Sequence, residues 1–522
     1  MTWLVPLPVV MPLLGAALIL VIVRRPVVQR AVSLVVLAAT LAVAVALLAL
    51  TTADGPMVVS VGGWAAPIGV VLVADQLAAL MLVVSSAVTL SVLVYSIGQG
   101  VTQGDDRVTP VSVYHPTYLI LTAGVTNAFL AGDLFNLYVG FEILLAASYV
   151  LITLGATEGR IRDGTTYVVV SLLSSLVFLI GIGLVYAATG TLNLAQLAGR
   201  LDALPDGVRL VLQSTLLLAF GIKAAVFPLS AWLPDSYPTA IAPVTAVFAG
   251  LLTKVGVYAI IRTETLLFPG GRGADVLLIA ALLTMLVGIL GAVAQSDIKR
   301  LLSFTLVSHI GYMLFGIGLA STAGLAAAIF YVVHHIVIQT TLFLAAGLIE
   351  RREGTTNLEH LGGLARLAPL LGVLFFIPAL NLAGIPPFSG FLGKLGLLQA
   401  GVSDGGTLGW LLVAGGVLTS LLTLYAVSRV WNLAFWRTPI TTLTSGPEAS
   451  SEGEASPAST AVDSETGPRL PRLMVAATLA LVVLGVGLTV VAGPLFDIST
   501  DAATQLLDRQ PYVRAVFPDG AP

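Results

Sequence analysis

LVVLAATLAVAVALLAL, residues 34–50, is apolar on every face it could present. A half-buried strand would alternate in polarity, and a helix on a soluble core would carry a polar stripe; this segment does neither. Its solvent is therefore apolar all round. At about 1.5 Å of rise per residue, such a run with its flanks crosses a hydrocarbon core of roughly 30 Å as a helix. A transmembrane barrel is excluded by the same letters, because barrel strands alternate apolar and polar positions.

Runs of this kind recur along the chain. Of 522 residues, 57% are hydrophobic and only 10% charged, a balance that leaves a soluble fold too little polar surface. Candidate spans are 3–23, 29–51, 70–97, 115–132, 134–155, 166–189, 208–228, 240–262, 274–295, 300–320, 323–349, 369–400, 407–436 and 472–495. The fold class is thus all-α integral membrane with about 14 transmembrane helices. Residues 1–23 lack a basic leading region and a small-residue cleavage site, so they read as the first span rather than a removed signal peptide. The absence of cysteine excludes disulfides, thiolate-held iron–sulfur clusters and a cysteine nucleophile. The net charge of −3 gives no reason to expect a nucleic-acid partner.

Loops assigned alternately to two sides separate the arginines. One side collects most of the basic residues, from Arg24 and Arg25 through Lys299 and Arg300 to Arg469 and Arg472, while Arg200, Arg209, Arg262, Arg272, Arg509 and Arg514 fall opposite. The positive-inside rule makes the first side cytoplasmic and places both termini outside a multi-pass protein of the cell membrane. The expected organisation is N-terminal helices over 1–97, two five-span blocks over 115–262 and 274–436, a loop over 438–471, and a last helix with its tail over 472–522. The loop is rich in Ser, Thr, Gly, Pro and Glu, which predicts a flexible cytoplasmic segment.

Proline interrupts two spans. FGIKAAVFPLSAWLPD (220–235) places Pro228 just after a continuous helix, and NLAGIPPFSGFLGKLG (381–396) places Pro386 and Pro387 at mid-span. Each proline removes a backbone donor and clashes with the preceding turn, so carbonyls freed at membrane depth must find partners in protein or a wet cavity. Broken helices in corresponding places of two halves point to a transport site built from an inverted repeat. Here the five spans of 115–262 would match the five of 274–436.

Four lysines occur in the chain, and Lys223, Lys254 and Lys394 lie inside apolar spans; Glu142 is the matching carboxylate. An ionised group at the bilayer centre costs roughly 2.5–3.5 kcal/mol on insertion scales, so such residues face a polar interior and mark an ion path. Burial and an opposite charge push a proton affinity in opposing directions, so a change in the separation of Glu142 and Lys223 would change how tightly the lysine holds its proton. His309, His334 and His335 have the ring chemistry of a proton relay, and Thr253, Ser303, Thr305, Ser308 and Ser389 could hold connecting waters. The blander reading of one buried lysine is a pin between helices or a side chain reaching the interface; three with a glutamate argue against it. Asp75, Asp133, His115 and Arg429 lie near span ends and read as interfacial anchors. There is no HExxH helix, no phosphate-binding Gly-rich loop and no clear second aspartate for an intramembrane protease, so neither an enzyme site nor a cofactor or metal site is expected.

Five stretches carry a resemblance: GDLFNLYVGFEILLAASYVLITLG (132–155), LLLAFGIKAAVFPLSAWLPDSYPTA (216–240), FAGLLTKVGVYAIIRTE (248–264), QSDIKRLLSFTLVSHIGYMLFGI (295–317) and NLAGIPPFSGFLGKLGLL (381–398). Together they resemble the antiporter-like subunits shared by respiratory complex I and the Mrp sodium/proton antiporters, over roughly residues 70–436. NLYVGFEILLAASYVL looks more like the Mrp side. The resemblance implies two inverted five-helix repeats with broken seventh and twelfth helices and a hydrophilic axis at the midplane. It also implies a pairing of Glu142 with Lys223, followed by Lys254 and Lys394. One position departs: in HHIVIQTTLFLAAG (334–347), Gln339 stands where the family commonly has lysine. The implied function is proton translocation within a hetero-oligomer of antiporter subunits that exchanges H+ for Na+ across the lipid bilayer. The rival is the antiporter-like subunit of a redox pump, complex I or a membrane-bound hydrogenase.

Overall fold

The computed structural model describes residues 1–22, 25–100, 111–154, 158–270, 273–438, 470–518 and 520. The expected loop 438–471 lies outside the described residues apart from its edges. In chain order the helices are α1 (Leu7–Val21), α2 (Pro26–Asp54), α3 (Gln76–Gln99), α4 (Val111–Leu130), α5 (Leu134–Thr153), α6 (Glu158–Thr189), α7 (Leu194–Arg200), α8 (Asp206–Ala224), α9 (Trp232–Ser236), α10 (Ala242–Val247) and α11 (Thr253–Arg262). They continue as α12 (Ala274–Val293), α13 (Ile298–Gly318), α14 (Thr322–Glu353), α15 (Leu364–Leu367), α16 (Pro369–Ala383), α17 (Ser389–Asp404), α18 (Thr407–Val430), α19 (Arg472–Val490), α20 (Ala492–Asp508) and α21 (Gln510–Val516). A short antiparallel hairpin, β1 (Met57–Ser60) with β2 (Val71–Ala74), pairs Met57 with Ala74 between α2 and α3.

Two π-helical turns, Phe248–Leu252 and Thr263–Leu267, extend α10 and α11 into one helix over Ala242–Leu267. Eleven described helices are long and apolar enough to cross a membrane; counting the shorter apolar α1, α4 and the broken pair α16/α17 as one crossing each gives fourteen among the described residues. Ala242–Leu267, α13 and α14 are almost wholly enclosed by the others, whereas α2, α6 and α18 show most of their length at the surface. Because lipid offers the outer helices no polar partner, their exposed faces are aliphatic, as at Val35, Leu172 and Leu421.

The inverted repeat is visible in hydrogen bonds. Asp133 pairs with Asn193 in an isolated antiparallel bridge, and Asp297 pairs with Asn357 in another; both partners shift by the same 164 residues (133 to 297, 193 to 357). Leu134 N donates to Leu192 O and Leu194 N to Gly132 O, as Ile298 N does to Thr356 O and Leu358 N to Ser296 O. Each aspartate also caps its helix, Asp133 accepting from Asn136 N at 2.7 Å and Asp297 from Arg300 N at 3.0 Å. Packing repeats too: a Cβ on Gly124 would meet Leu144 N at 2.5 Å, and one on Gly288 would meet Ser308 N at 2.5 Å. Both glycines therefore allow a closeness of α4 to α5, and of α12 to α13, that any side chain would force apart. Five crossings separate α4 from α12, so the second copy enters from the opposite face. The signal was in the letters as well, since GTLNLAQLAG (190–199) and GTTNLEHLGG (354–363) share G-T-x-N-L-x-x-L-x-G at the same offset.

The breaks fall near the prolines. α8 ends at Ala224, with Ala225 at φ 58° and Pro228 in the turn that follows. The span 369–400, expected to be interrupted at Pro386 and Pro387, is two helices: Gly384 turns at φ 86° before the prolines, and α17 restarts at Ser389.

Three of the expected interfacial anchors are interior. Asp75 caps α3 through Ala78 N at 2.9 Å and takes both guanidinium nitrogens of Arg262, at 2.5 and 2.9 Å. Arg262, counted above as a loop charge, is buried beneath Tyr512 of α21, whose ring centroid is 5.2 Å from the guanidinium carbon. His115 is buried against Ser33 Oγ at 3.0 Å, and Asp133 is buried as a helix cap, burial raising its carboxyl's hold on a proton. Hydropathy could not place them, because the residues that cover them come from distant sequence. Arg429, half-buried, donates to Val293 O and Gln295 O and so caps the end of α12.

Candidate functional site

The three intramembrane lysines are interior, with exposures of 8% at Lys223, 0% at Lys254 and 4% at Lys394. Each uses a different device to hold its ammonium. Lys223, in the last turn of α8, donates to Ser175 Oγ at 3.1 Å and lies 4.8 Å from the Phe141 ring centroid. Beside it Tyr167, Ser171, Ser174 and Trp232 line a cavity of about 20 Å³, room for roughly one water. Lys254 donates to Ala249 O at 2.7 Å, a carbonyl within the π-helical turn Phe248–Leu252. Widening the turn from i→i−4 to i→i−5 frees backbone groups, and a buried ammonium needs such an acceptor. Lys394, in α17, reaches back across the break to Leu382 O and Ala383 O, each at 3.0 Å, the carbonyls at the end of α16. The prolines thus expose acceptors and the lysine takes them up.

Glu142 and Lys223 do not form an ion pair within 4.0 Å among the described residues. Phe141 is turned to Lys223, and the neighbouring Glu142, though out of direct contact, is close enough for its charge to act on the ammonium. The glutamate is half-buried, and its Oε1 has no hydrogen-bond partner among the described residues. The expected partners are thus out of hydrogen-bond contact but within electrostatic reach of each other.

The second half brings its groups together. His309 Nδ1 lies 2.8 Å from Tyr331 Oη, and its Nε2 is 3.4 Å from Thr423 Oγ1. His335 stands beside it, ring centroids 5.2 Å apart, with neither ring nitrogen partnered among the described residues. His334 Nδ1 is 3.0 Å from Ser389 Oγ at the start of α17. Tyr331 is 5.3 Å from His334 and 5.5 Å from Tyr312 by ring centroids, and Lys394 Nζ sits 5.1 Å from the Tyr312 ring. Tyr331 therefore touches the surroundings of both Lys394 and His309, yet in the letters it is only one tyrosine in an apolar run. The repeat offset would have found it: Tyr167, 164 residues earlier, bonds Ser148 Oγ at 2.7 Å beside the Lys223 cavity.

Of the hydroxyls expected to hold waters, Ser303, Thr305 and Ser308 donate to the backbone carbonyls of Lys299, Leu302 and Met285. Ser389 faces His334, and Thr253 Oγ1 has no partner among the described residues. Gln339 donates Nε2 to Leu302 O at 2.6 Å. By the repeat it stands where Ser175 holds Lys223, so an amide occupies that place in the second half.

Residues 131–423 match the family model described as NADH:quinone oxidoreductase/Mrp antiporter, transmembrane. The chain is 38% identical to the D-type subunit of the Na(+)/H(+) antiporter of Alkalihalophilus pseudofirmus, with 98% of this chain and 99% of that one covered. It is 39% identical to the D-type subunit of the Na(+)/H(+) antiporter of Bacillus subtilis, covering 82% and 86%. Among solved structures it is similar to a chain of the Mrp complex from a Dietzia species, with TM-score 0.89, 36% identity, and coverage of 99% and 100%. A chain of the archaeal membrane-bound sulfane sulfur reductase, a respiratory complex, matches with TM-score 0.86 at 25% identity over 99% and 100%. With a family model matched over more than half of its length and a relative 38% identical over nearly all of it, the chain belongs to the NADH:quinone oxidoreductase/Mrp antiporter transmembrane family.

Proposed function

We propose that this chain is the D-type, proton-translocating subunit of a multi-subunit Mrp-type Na+/H+ antiporter. The observation that carries the reading is 38% identity to a D-type antiporter subunit over essentially the full length of both chains. The chain is then part of a secondary transporter rather than an enzyme, a multi-pass membrane protein whose partners are the other antiporter subunits. The redox-pump alternative draws on the respiratory-complex match, which is more distant in sequence at 25% against 36% for the Mrp chain.

In this reading the route runs through Glu142, Lys223, Lys254, His309, His335, His334 and Lys394, with the two halves divided near 115–262 and 274–436. Separation of Glu142 from Lys223 leaves the lysine on a hydroxyl and a ring face, a weaker hold on its charge than a carboxylate. Approach of the two would draw a proton to the lysine, and retreat would release it toward the cavity water and Lys254. Tyr331 and the histidines offer alternating donors and acceptors between Lys254 and Lys394. Each charge moved across the membrane is worth about 2.3 kcal/mol per 100 mV, so the potential can drive electrogenic exchange. The arginine asymmetry supports a plasma-membrane orientation with both termini outside.

The test compares vesicles holding the assembled complex with vesicles holding this subunit alone, following Na+-dependent proton movement. Exchange by the complex supports the antiporter reading. Proton movement that depends on a quinone or redox partner and ignores Na+ would replace it with the redox-pump reading.

A further inference from the structure

Glu264 is a half-buried carboxylate near the end of a membrane-crossing helix, and the proposed route does not use it. It lies in the π-helical turn Thr263–Leu267, ten residues beyond Lys254 on the same helix, so about 15 Å nearer the face that carries both termini. Its Oε2 accepts from Gln213 Nε2 of α8 at 2.8 Å. Its Oε1 is buried and has no partner among the described residues.

Two cavities meet at this hydrogen bond. One, of about 200 Å³, is lined by Asp206, Arg209 and Gln213, and the other, of about 150 Å³, by Glu264, Thr265, Ile317 and Leu507; they share Phe268, Pro269 and Gly270. The first has a charged rim with Asp206 exposed to water. The second is apolar apart from Glu264 and Thr265, and the threonine hydroxyl donates to Ile261 O at 2.8 Å. The neighbouring cations among the described residues are engaged elsewhere: Arg209 and Arg509 both reach Asp202, and Arg262 holds Asp75. Among the described residues the free carboxylate oxygen therefore has no charge to meet, and a carboxylate oxygen buried in that condition takes up a proton or binds a cation. One carboxylate with an amide beside it suits a single positive charge, since a divalent ion would call for more oxygen ligands and more negative charge. The second cavity also touches the end of α13 at Ile317 and Gly318, about 12 Å along that helix from His309. Both helices that carry the middle of the route thus end at this pocket.

We propose that Glu264, held by Gln213, is the loading site for the monovalent cation, proton or Na+, that exchange takes up or releases at the face bearing the termini. The site rests on the antiporter reading for its role, but its occupancy can be measured without exchange. In the assembled parental complex, a hydrophobic carbodiimide modifies protonated carboxyls, and mass spectrometry of the Glu264 peptide reads the modification. Saturating Na+ at fixed pH should slow it roughly tenfold if Na+ binds there; slowing by raised pH alone assigns the site to the proton. A Glu264 that is never modified, or is modified at a rate blind to both, overturns the proposal. Glu264→Gln keeps a hydrogen bond to Gln213 and removes the charge, so a structural tie would survive it. In the exchange assay E264Q should raise the half-saturating concentration of the bound ion roughly tenfold while Glu264→Asp stays within about twofold of the parent. An E264Q complex that exchanges as the parent does in both a pH series and a Na+ series also overturns it. A parental complex that shows Glu264 protection and no exchange would instead sink the antiporter reading and leave the site standing.

Discussion

Replacing Tyr331 with phenylalanine deletes one oxygen and leaves the ring. The ring contacts to Tyr312 at 5.5 Å and His334 at 5.3 Å survive, so packing is held constant while the 2.8 Å contact to His309 Nδ1 is lost. A buried ring nitrogen left without a partner costs about 1–3 kcal/mol. If that falls on the step in which a proton passes between the Lys394 side and His309, exchange slows by roughly 5–150-fold, at about 1.4 kcal/mol per tenfold. A hydroxyl can receive a proton on its oxygen while giving up its own, so it passes charge without storing it; a phenyl ring cannot. The assay is Na+-dependent proton exchange in vesicles, normalised to the amount of assembled complex. Tyr167→Phe is the internal comparison, because it removes the equivalent hydroxyl from Ser148 in the first half. Exchange by Tyr331→Phe within about twofold of the parent, with assembly intact, would refute the placement of this hydroxyl on the route.

Glu142→Ala and Lys223→Ala are each expected to abolish exchange while the complex still assembles, as read by co-purification of the partner subunits; full activity in either removes that residue from the path. Gln339→Lys is expected to assemble and exchange, since a lysine there can donate to Leu302 O as the amide does; collapse of assembly would show that the pocket is shaped to the amide. Asp75→Ala strands the buried Arg262 guanidinium and is expected to destabilise the protein by about 3–5 kcal/mol, seen as a lowered midpoint in thermal unfolding of the detergent-solubilised complex. Restoring an apolar pair with Asp75→Leu and Arg262→Met should recover most of that loss; a double variant as weak as the single one would show that the charges themselves matter.

Much of the fold was legible because lipid enforces a simple code: an all-apolar stretch such as 34–50 can only be a helix, and the prolines at 228, 386 and 387 marked the fold's breaks, whereas Pro12, Pro116 and Pro378 sit inside continuous helices. The lysines were legible for the same reason, as charges that an apolar span cannot carry without an interior to face. What escaped the letters depends on tertiary cover. Arg262 looks like a loop charge because it follows an apolar run, and only the folding of α21 and α3 over that end buries it with Asp75. Helical phase set the closest contact: one position of rotation puts the Phe141 ring against Lys223 and leaves the glutamate to act on it through its charge alone. The π-turn that supplies Ala249 O to Lys254 leaves no mark in composition, since its residues are those of any apolar helix.

The repeat also shows where the halves have diverged, and the divergence is chemical. At the common offset of 164, Leu145, Val170 and Ser171 occupy the places of His309, His334 and His335, while Glu142 has Leu306 as its counterpart. One backbone plan therefore carries a carboxylate and a hydroxyl-held lysine in the first half, and three imidazoles with a carbonyl-held lysine in the second. A carboxylate changes the electrostatics of its neighbours strongly as it moves, whereas neutral imidazoles pass protons with little change in local charge. In the proposed function, coupling to a conformational change then belongs in the first half and conduction in the second. That division requires a link between them, and Lys254 is suited to it, because it lies on the enclosed helix between the two breaks and takes its acceptor from that helix's own π-turn. Its hold on the proton thus depends on whether that turn stays wide, a local backbone state that motion in either half can reach.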